Sequence, residues 1–315
     1  MTQINSISIV IPFFNEKENV SLLIEKLNFF VNEVKPIVIE VVFVDDGSTD
    51  NSSEILLSSK DVKFVSKIIK LSKNSGSHAA IRAGISQSSS SFVTVMAADL
   101  QDPLSLIKDL NKECLLGADI AFGQRRSVNE RFFVRLFSKL NAIFMRKFAI
   151  KNYPSKGVDI VMFNAKVAKV LNNNIESNSN FIIQLLSFGF KQSFVEYDKD
   201  ERKYGASKWT FPKRLKLLID SFVAFSYTPI RFVSVTGLVF FVFGIIWTFY
   251  IVWRKITMND LVAGWPALTS ILLLGFGITN ISLGIIAEYL WRTLDSSRKR
   301  PVFIIDEIIE LNKHE

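Results

Sequence analysis

Two apolar segments in the first third of the chain each end in a group of carboxylates. Residues 40–44 lead into Asp45-Asp46-Gly47-Ser48-Thr49-Asp50, and residues 92–96 are followed, after two alanines, by Asp99-Leu100-Gln101-Asp102-Pro103. Carboxylates at the carboxyl ends of buried parallel strands lie where α/β sheets bind ligands. Two such strand ends indicate a site for a hard cation and a phosphorylated substrate, because these cations prefer oxygen ligands. The alternative is that Asp, Gly and Ser only form turns at these points.

Segments typical of strands and of helices alternate along the N-terminal part of the chain. Residues 6–11 form a predicted strand, and a helical pattern begins at Asn15-Glu16. This strand-to-helix unit recurs at residues 40–44 with 52–57, 68–71 with 76–86, and 92–96 with 104–116. The alternation predicts an α/β fold with a mostly parallel, doubly wound sheet. After residues 120–123 the spaced arginines from Arg125 to Arg146 predict a basic amphipathic helix, with a solvated surface helix as the alternative.

Two long uncharged runs occupy the last third of the chain. Residues 232–253 and 267–287 contain no charged side chain, and each run reaches the length of about 20 apolar residues that spans a bilayer. Basic residues before the first run and after the second outnumber those between them, which predicts that both chain ends lie in the cytoplasm. Residues 212–225 carry apolar side chains at helical spacing beside lysines and arginines. This pattern predicts an interfacial helix on anionic lipid, with a core helix as the alternative.

Charge and cysteine usage limit the classes of partner and site. The 38 basic and 30 acidic residues give a net charge of +8, which suits nucleic acid, an anionic membrane surface or a phosphorylated ligand. The two predicted spanning helices favour the last two, so we expect no nucleic-acid partner. The single cysteine, Cys114, cannot form a disulfide or a zinc cluster within the chain. No secretory signal precedes the first predicted strand, so we expect an N-terminal domain that is not exported.

Several motifs in this chain occur together in a known family. The first four resemble the nucleotide-sugar half of the inverting family 2 glycosyltransferases: Ile11-Pro12-Phe13-Phe14-Asn15-Glu16, Val44-Asp45-Asp46-Gly47-Ser48-Thr49-Asp50, Asn74-Ser75-Gly76 with Ala83-Gly84, and Asp99-Leu100-Gln101-Asp102-Pro103. The later ones resemble the bacterial polyprenyl-phosphate hexosyltransferases, relatives of dolichol-phosphate mannose synthase: Arg202 with Gly205-Ala206-Ser207-Lys208-Trp209, Phe225-Ser226 before Pro229, Glu288-Tyr289-Leu290-Trp291-Arg292, and Arg300-Pro301. The resemblance covers nearly the whole chain and implies a Rossmann-like glycosyltransferase A fold.

The resemblance implies a set of ligand-binding residues in the N-terminal half. Asp99 and Gln101 would coordinate Mg²⁺ or Mn²⁺ that bridges the substrate diphosphate. Relatives usually read Asp-Ala-Asp-Leu-Gln at this motif, whereas this chain has Ala97 in place of the first carboxylate. The nucleotide sugar would contact residues at the strand ends, namely Pro12, Phe14, Asn15, Glu16, Asp45, Asp46, Gly76 and Ala98.

A second set of residues would serve the acceptor, which the resemblance identifies as undecaprenyl phosphate. Guanidinium groups suit phosphate oxygens, and Arg125, Arg131 and Arg135 would gather around this phosphate. Asp159 lies where the family often has an acidic residue near the acceptor. A later loop would add Arg202, Ser207 and Lys208, although membrane-surface charge alone could account for the two basic residues.

The expected protein is a metal-dependent, inverting hexosyltransferase of the cytoplasmic (inner) membrane. It would transfer a hexose, with glucose as the expected sugar, from UDP- or GDP-hexose to undecaprenyl phosphate. We expect a cytoplasmic catalytic domain at 1–210, an interfacial helix at 211–230, a transmembrane hairpin at 231–292 and a cytoplasmic tail at 293–315. The resemblance also implies a homo-oligomer. Two alternatives are a processive polysaccharide synthase, whose Gln-x-x-Arg-Trp motif is missing from this sequence, and a catalytically inactive, membrane-bound sugar-nucleotide sensor or scaffold.

Overall fold

The chain divides into two compact units. The computed structural model describes residues 5–59, 61–126, 142–143, 145–147, 150, 153–154, 158–175, 180–198, 228–258, 264–298 and 300–311. One unit comprises Met1–Ser221 with Pro301–Glu315, and the other comprises Phe222–Arg300. The chain therefore leaves the first unit and later returns to it. The division at 210, 230 and 292 that the sequence suggests stays a prediction.

The described residues of the first unit form an eight-stranded, mixed sheet. Its strands are β1 (Ser6–Phe13), β2 (Val38–Asp45), β3 (Val65–Leu71), β4 (Phe92–Val95), β5 (Ile120–Arg125), β6 (Val158–Asn164), β7 (Gln192–Tyr197) and β8 (Ile305–Leu311). Their order across the sheet is β7-β5-β6-β4-β1-β2-β3-β8. The pairs β1–β2, β1–β4, β2–β3 and β5–β7 are parallel. The predicted α/β fold with a mostly parallel sheet is thus confirmed.

Antiparallel pairs lie on both sides of the parallel strands. Strand β6 runs antiparallel to both β4 and β5, and β8 runs antiparallel to β3 at the opposite edge. Lys70 of β3 and Glu307 of β8 form an ion pair at 3.6 Å. Strand β8 lies within the predicted tail, so the end of the chain completes the sheet of the first unit.

Six helices of the first unit connect the strands in the described residues. They are α1 (Lys17–Glu33), α2 (Ser52–Ser58), α3 (Ser77–Ser86), α4 (Ser105–Leu115), α5 (Ala165–Asn173) and α6 (Phe181–Ser187). The central strands are covered on both faces, which explains why they read as continuous apolar runs in the sequence. Val41 and Val42, which point to opposite faces of β2, are both fully buried. Gly84 lets α3 approach closely, because a Cβ atom there would lie 2.3 Å from Cγ1 of Val10.

The second unit contains two long helices, α7 (Thr228–Met258) and α8 (Trp265–Ser297). The two uncharged runs lie within them. Many of their large apolar side chains are exposed, among them Phe232, Phe243, Phe249, Trp253, Phe276 and Trp291. Over the ranges that the structure describes, no helix combines the length and the apolar character needed to cross a membrane. The predicted transmembrane hairpin is therefore not confirmed, and residues 211–227 of the predicted interfacial helix lie outside the described residues.

Candidate active site

Side chains of two neighbouring loops connect the carboxyl ends of β1 and β2. The backbone N–H of Asn15 donates to Ser48 Oγ at 3.0 Å, and Asn15 Oδ1 accepts from the backbone N–H of Thr49 at 2.8 Å. One residue later, the N–H of Glu16 donates to Ser52 Oγ at 3.0 Å. Asn15 has φ +52°, a left-handed conformation that Asn tolerates better than most residues. The two loops therefore form one bonded surface at this edge of the sheet.

Asp46 extends this surface to the loop after β3. Its two carboxylate oxygens accept the backbone N–H groups of Ser75 at 2.7 Å and Gly76 at 2.9 Å. The preceding Asp45 accepts from the N–H of Ser48 at 2.7 Å and from the hydroxyl of Ser53. Both carboxylates are buried, and both hold loops in place.

A glycine turn lets these loops approach one another. Gly47 has φ +74°, and a Cβ atom there would lie 2.7 Å from the backbone nitrogen of Asn74. A larger residue would meet both a strained backbone and a steric clash. The Asp-Asp-Gly sequence thus joins the loops after β2 and β3. A side chain at Gly47 would push these loops apart.

Burial and three neighbouring groups shift the pKa of Asp46. Removal from water raises the pKa of its carboxyl above the ordinary value, and the neighbouring charge of Asp45 raises it further. The two backbone N–H groups act in the opposite direction, because they stabilise the carboxylate. Together these effects leave the pKa of the Asp46 carboxyl above its ordinary value. Asp46 therefore serves as an acceptor that holds two backbone N–H groups in place.

The sheet brings most of the predicted nucleotide-sugar residues to one edge. Pro12, Phe14, Asn15 and Glu16 lie at the end of β1, where Phe13 is in register with Asp45 of β2. Ala98, in the loop after β4, lines one small cavity with Glu16. Seven predicted residues thus lie at the strand ends or on the loops that the structure joins, and Ala98 lies beside them. Whether they contact a nucleotide sugar remains a prediction.

The predicted metal ligands lie in the loop after β4. The backbone N–H of Gln101 donates to Asp99 Oδ1 at 3.3 Å, which closes a tight turn. Leu100, between them, is buried and has φ +57°. The donor set is one carboxylate and one amide oxygen, which are the hard ligands that Mg²⁺ and Mn²⁺ accept. The residues present therefore fit such an ion.

The described residues supply only part of a coordination shell. Among the described residues, no group of three or more His, Cys, Asp or Glu side chains could hold a metal ion. Ala97, at the position where the family resemblance implies an aspartate, is exposed. Substrate phosphates and water commonly complete the coordination of Mg²⁺. The observed set suits an ion that binds together with a diphosphate.

An ion pair and a tyrosine lie beside Asp102, in the loop after β4. Arg125, the last residue of β5, donates its Nε–H to Asp159 of β6. The hydroxyl of Tyr197, the last residue of β7, lies 2.8 Å from Asp102 Oδ1 and 3.3 Å from Asp159 Oδ2. The sequence predicted Arg125 and Asp159 as site residues, and the structure pairs them. It did not single out Tyr197, which is far from both aspartates in the chain.

Neighbouring charges determine the protonation states of Arg125 and Tyr197. Burial alone would lower the pKa of Arg125, but the hydrogen bond to Asp159 and the negative charge of that carboxylate raise it above the ordinary value. Burial raises the pKa of the Tyr197 hydroxyl, and the charges of Asp102 and Asp159 raise it further. Arg125 therefore stays cationic and Tyr197 stays protonated at neutral pH, so both act as hydrogen-bond donors.

The remaining predicted acceptor residues cannot be placed. Arg131, Arg135, Arg202, Ser207 and Lys208 lie outside the described residues.

The amino-acid sequence matches a known protein family. Residues 8–175 match the family described as Glycosyl transferase family 2. An uncharacterized glycosyltransferase of Bacillus subtilis, YkcC, is 32% identical over 95% of this chain and 93% of its own length. The undecaprenyl-phosphate 4-deoxy-4-formamido-L-arabinose transferase of Proteus mirabilis is 27% identical over 99% of this chain and 96% of its own length. The similarity thus extends beyond the matched domain to nearly the entire chain.

A solved structure also overlaps with most of this chain. It is the mannosyltransferase PcManGT of Pyrobaculum calidifontis, determined in complex with GDP-Man and Mn²⁺. The two proteins are 14% identical, and the overlap covers 93% of this chain and 88% of that one with a TM-score of 0.43.

Proposed function

This chain belongs to glycosyl transferase family 2, and on that premise we propose that it transfers a hexose from a nucleotide sugar to undecaprenyl phosphate. The observation that carries the proposal is the juxtaposition of two parts at one edge of the sheet. The joined loops after β1, β2 and β3 and the Asp99–Gln101 turn suit a nucleotide diphosphate. The Arg125–Asp159 pair beside them suits a second, phosphate-bearing substrate. Glucose and a UDP or GDP carrier are the expected donor components.

The similarity to relatives supports the choice of acceptor. The Proteus mirabilis relative is named for transfer to undecaprenyl phosphate, and its similarity runs over 99% of this chain. A phosphate monoester has its second pKa near ~6 and is therefore mostly a dianion at pH 7. Such an acceptor needs no strong general base. Positioning of the two substrates and stabilisation of the leaving group are the main tasks of the protein.

The proposed reaction is a single displacement at the anomeric carbon. An acceptor phosphate oxygen forms the new bond to this carbon while the bond to the diphosphate oxygen breaks and the nucleoside diphosphate leaves with the electron pair. Attack opposite the leaving group inverts the anomeric centre, so an α-linked nucleotide hexose gives a β-linked product. Arg125 would contribute N–H donors to the acceptor phosphate, since Asp159 occupies only its Nε–H among five. Arg131, Arg135, Arg202, Ser207 and Lys208 complete the proposed acceptor site.

Asp99 and Gln101 would hold Mg²⁺ or Mn²⁺, whose charge stabilises the departing diphosphate when the ion is bound. The tight turn between these residues would keep both oxygen donors on one loop. The loops after β1 and β2 would exclude water on the nucleotide side. Asp46 would fix the Gly76 backbone, so that the third loop cannot move away from the nucleotide.

We further propose that the second unit brings the enzyme to the membrane. The uncharged runs in α7 and α8 and their exposed large apolar side chains support this role, as does the lipid nature of the acceptor. The basic residues on both sides of these helices favour a cytoplasmic catalytic unit at the inner membrane. Self-association stays an expectation from the family resemblance.

One feature favours a second candidate function. Ala97 removes a carboxylate that relatives usually have in the metal motif, and such a loss would suit an inactive sugar-nucleotide sensor or scaffold. Turnover distinguishes the two functions. Membranes that contain the full chain are incubated with undecaprenyl phosphate and a panel of radiolabelled UDP- and GDP-hexoses. Metal-dependent label in the lipid phase supports the transferase, whereas nucleotide-sugar binding without transfer across the panel supports the sensor.

A further inference from the structure

The hydroxyl of Tyr197 lies between two carboxylates. Its oxygen is 2.8 Å from Asp102 Oδ1 and 3.3 Å from Asp159 Oδ2. Tyr197 and Asp102 are 6% and 5% exposed, so both side chains are almost completely removed from water. A buried hydroxyl is costly unless it is hydrogen-bonded. Here the partners are acidic groups, and hydrogen bonds to charged groups are stronger than those between neutral ones.

These two carboxylates belong to different parts of the site. Asp102 ends the loop that begins with Asp99, and it directly follows Gln101. Asp159 lies in β6 and binds Arg125 of β5. Tyr197 is in register with Arg125 across the parallel β5–β7 pair. A single hydroxyl therefore connects the metal-binding loop to the ion pair on the acceptor side.

The ring of Tyr197 has a separate packing role. A Cβ atom added at Gly123 would lie 3.4 Å from Cε1 of Tyr197, so the ring packs against the glycine backbone of β5. A phenylalanine would fill the same space and leave this contact intact. Only the hydroxyl can reach Asp102 and Asp159, and its single proton is shared unequally between them, at 2.8 and 3.3 Å. Removing the hydroxyl therefore tests positioning separately from packing.

We propose that Tyr197 is a positioning residue that holds Asp159 and the 99–102 loop in a fixed relation to each other. It acts through its hydroxyl and does not touch the substrates. This inference rests on the proposed transferase function and adds a residue to its site.

Tyr197→Phe tests the proposal, with Thr94→Val as the matched control. The Thr94 hydroxyl is also buried and donates to the backbone oxygen of Val161 at 3.0 Å, so it joins β4 to β6 without a bond to a carboxylate. We expect Tyr197→Phe to lower kcat by roughly ten- to a hundredfold, the range for a hydrogen bond to a charged group. KM for the nucleotide sugar should change less than threefold. Thr94→Val should leave kcat within about threefold of wild type at a similar loss of thermal stability.

A second measurement does not depend on turnover. Hydrogen–deuterium exchange of the full chain in detergent reports on local opening. Tyr197→Phe should increase exchange in peptides that cover residues 99–102 and 158–160, and Thr94→Val should not increase it at 99–102. Equal effects of the two substitutions on kcat, or unchanged exchange at 99–102 in Tyr197→Phe, would overturn the proposal. If wild type transfers no sugar at all, the transferase function fails, while the exchange data still decide the role of Tyr197.

Discussion

Arg125 at the end of β5 donates its Nε–H to Asp159 in the neighbouring strand β6, and each of the two side chains is 25% exposed. This partial burial strengthens the pair relative to one at the surface, where screening by solvent leaves little net stabilisation. Asp159 thereby holds the Nε edge of the guanidinium in place. In the proposed function, Asp159 would orient Arg125, which would explain an acidic residue next to an anionic acceptor.

Asp159→Asn should reduce acceptor use more than donor use. The substitution removes the charge that orients Arg125, and a charge-assisted hydrogen bond is worth roughly 1.5–3 kcal/mol, or about ten- to a hundredfold in kcat/KM. Steady-state kinetics with undecaprenyl phosphate as the varied substrate measure this. Arg125→Lys should give a loss of the same order, because lysine lacks the planar fork. Equal losses for donor and acceptor would speak against the assignment.

Asp99→Asn should abolish most turnover and leave the fold intact. The carboxylate is the only charged ligand that the Asp99–Gln101 turn offers to a divalent cation, so its neutralisation weakens the hold on Mn²⁺. Turnover at limiting Mn²⁺ and thermal unfolding are measured together. Asp109→Asn, on the exposed side of α4, serves as the control. Near-wild-type turnover of Asp99→Asn at limiting Mn²⁺ would show that this residue is not a ligand.

Ala97→Asp should tighten binding of Mn²⁺ to the free protein without being required for transfer. Ala97 is exposed, so the new side chain fits without disturbing the core and adds an anionic oxygen ligand near Asp99. Calorimetric titration of Mn²⁺ in the absence of nucleotide detects the change. The sensor interpretation would be preferred if wild type is inert with every sugar nucleotide and Ala97→Asp alone restores transfer.

The stability of the sheet should depend on the ionisation of Glu40. Burial would raise the pKa of this carboxyl, but hydrogen bonds from Lys67, Ser8 and Ser89 together lower it below its ordinary value of 4.5. A lowered pKa means that the folded state binds the proton less tightly than the unfolded state. The contribution of Glu40 is thus fully present above pH 4.5 and is lost as the pH falls through the lower, folded-state pKa.

Glu40→Gln tests this dependence. It should lower the free energy of unfolding by about 1–3 kcal/mol at pH 7, because Lys67, at 2.7 Å, loses its anionic partner. The difference from wild type should narrow as the pH falls below 4.5. Unfolding followed by circular dichroism between pH 3 and pH 7 measures it. Glu33→Gln, which breaks the exposed pair with Lys108, should have little effect at any pH. A constant Glu40→Gln difference across this range would contradict the linkage.

The sequence predicts the parallel half of the sheet well, for a physical reason. Strands such as β1 and β2 are buried on both faces, so they appear as apolar runs that end where the loops carry ligands. Strand β7 is partly exposed along most of its length, and β8 mixes exposed acidic residues with isoleucines. Neither forms an apolar run. Their places in the sheet depend on pairing with β5 and β3, distant in the chain, which no local pattern specifies.

The residues of the site also divide into those found in local motifs and those that only the fold brings together. Asp99, Gln101 and the Asp45-Asp46-Gly47 turn lie in short motifs, and each can be found by its position after an apolar run. Tyr197 is separated from Asp102 by 95 positions and from Asp159 by 38. Only the fold brings its hydroxyl to these carboxylates. A tyrosine at the end of a strand is by itself a common packing residue, so no signal in the sequence distinguishes it.

The most direct test of the central claim is the structure of the reaction product. Purified full-length protein in detergent is supplied with undecaprenyl phosphate, Mn²⁺ and the nucleotide hexose that gives label in the lipid phase, and the product is examined by mass spectrometry and by NMR of its anomeric proton. We expect a β-linked hexosyl phosphate lipid and one nucleoside diphosphate released per molecule formed. An α-linked product, or release of free hexose without a lipid-linked sugar, would contradict it.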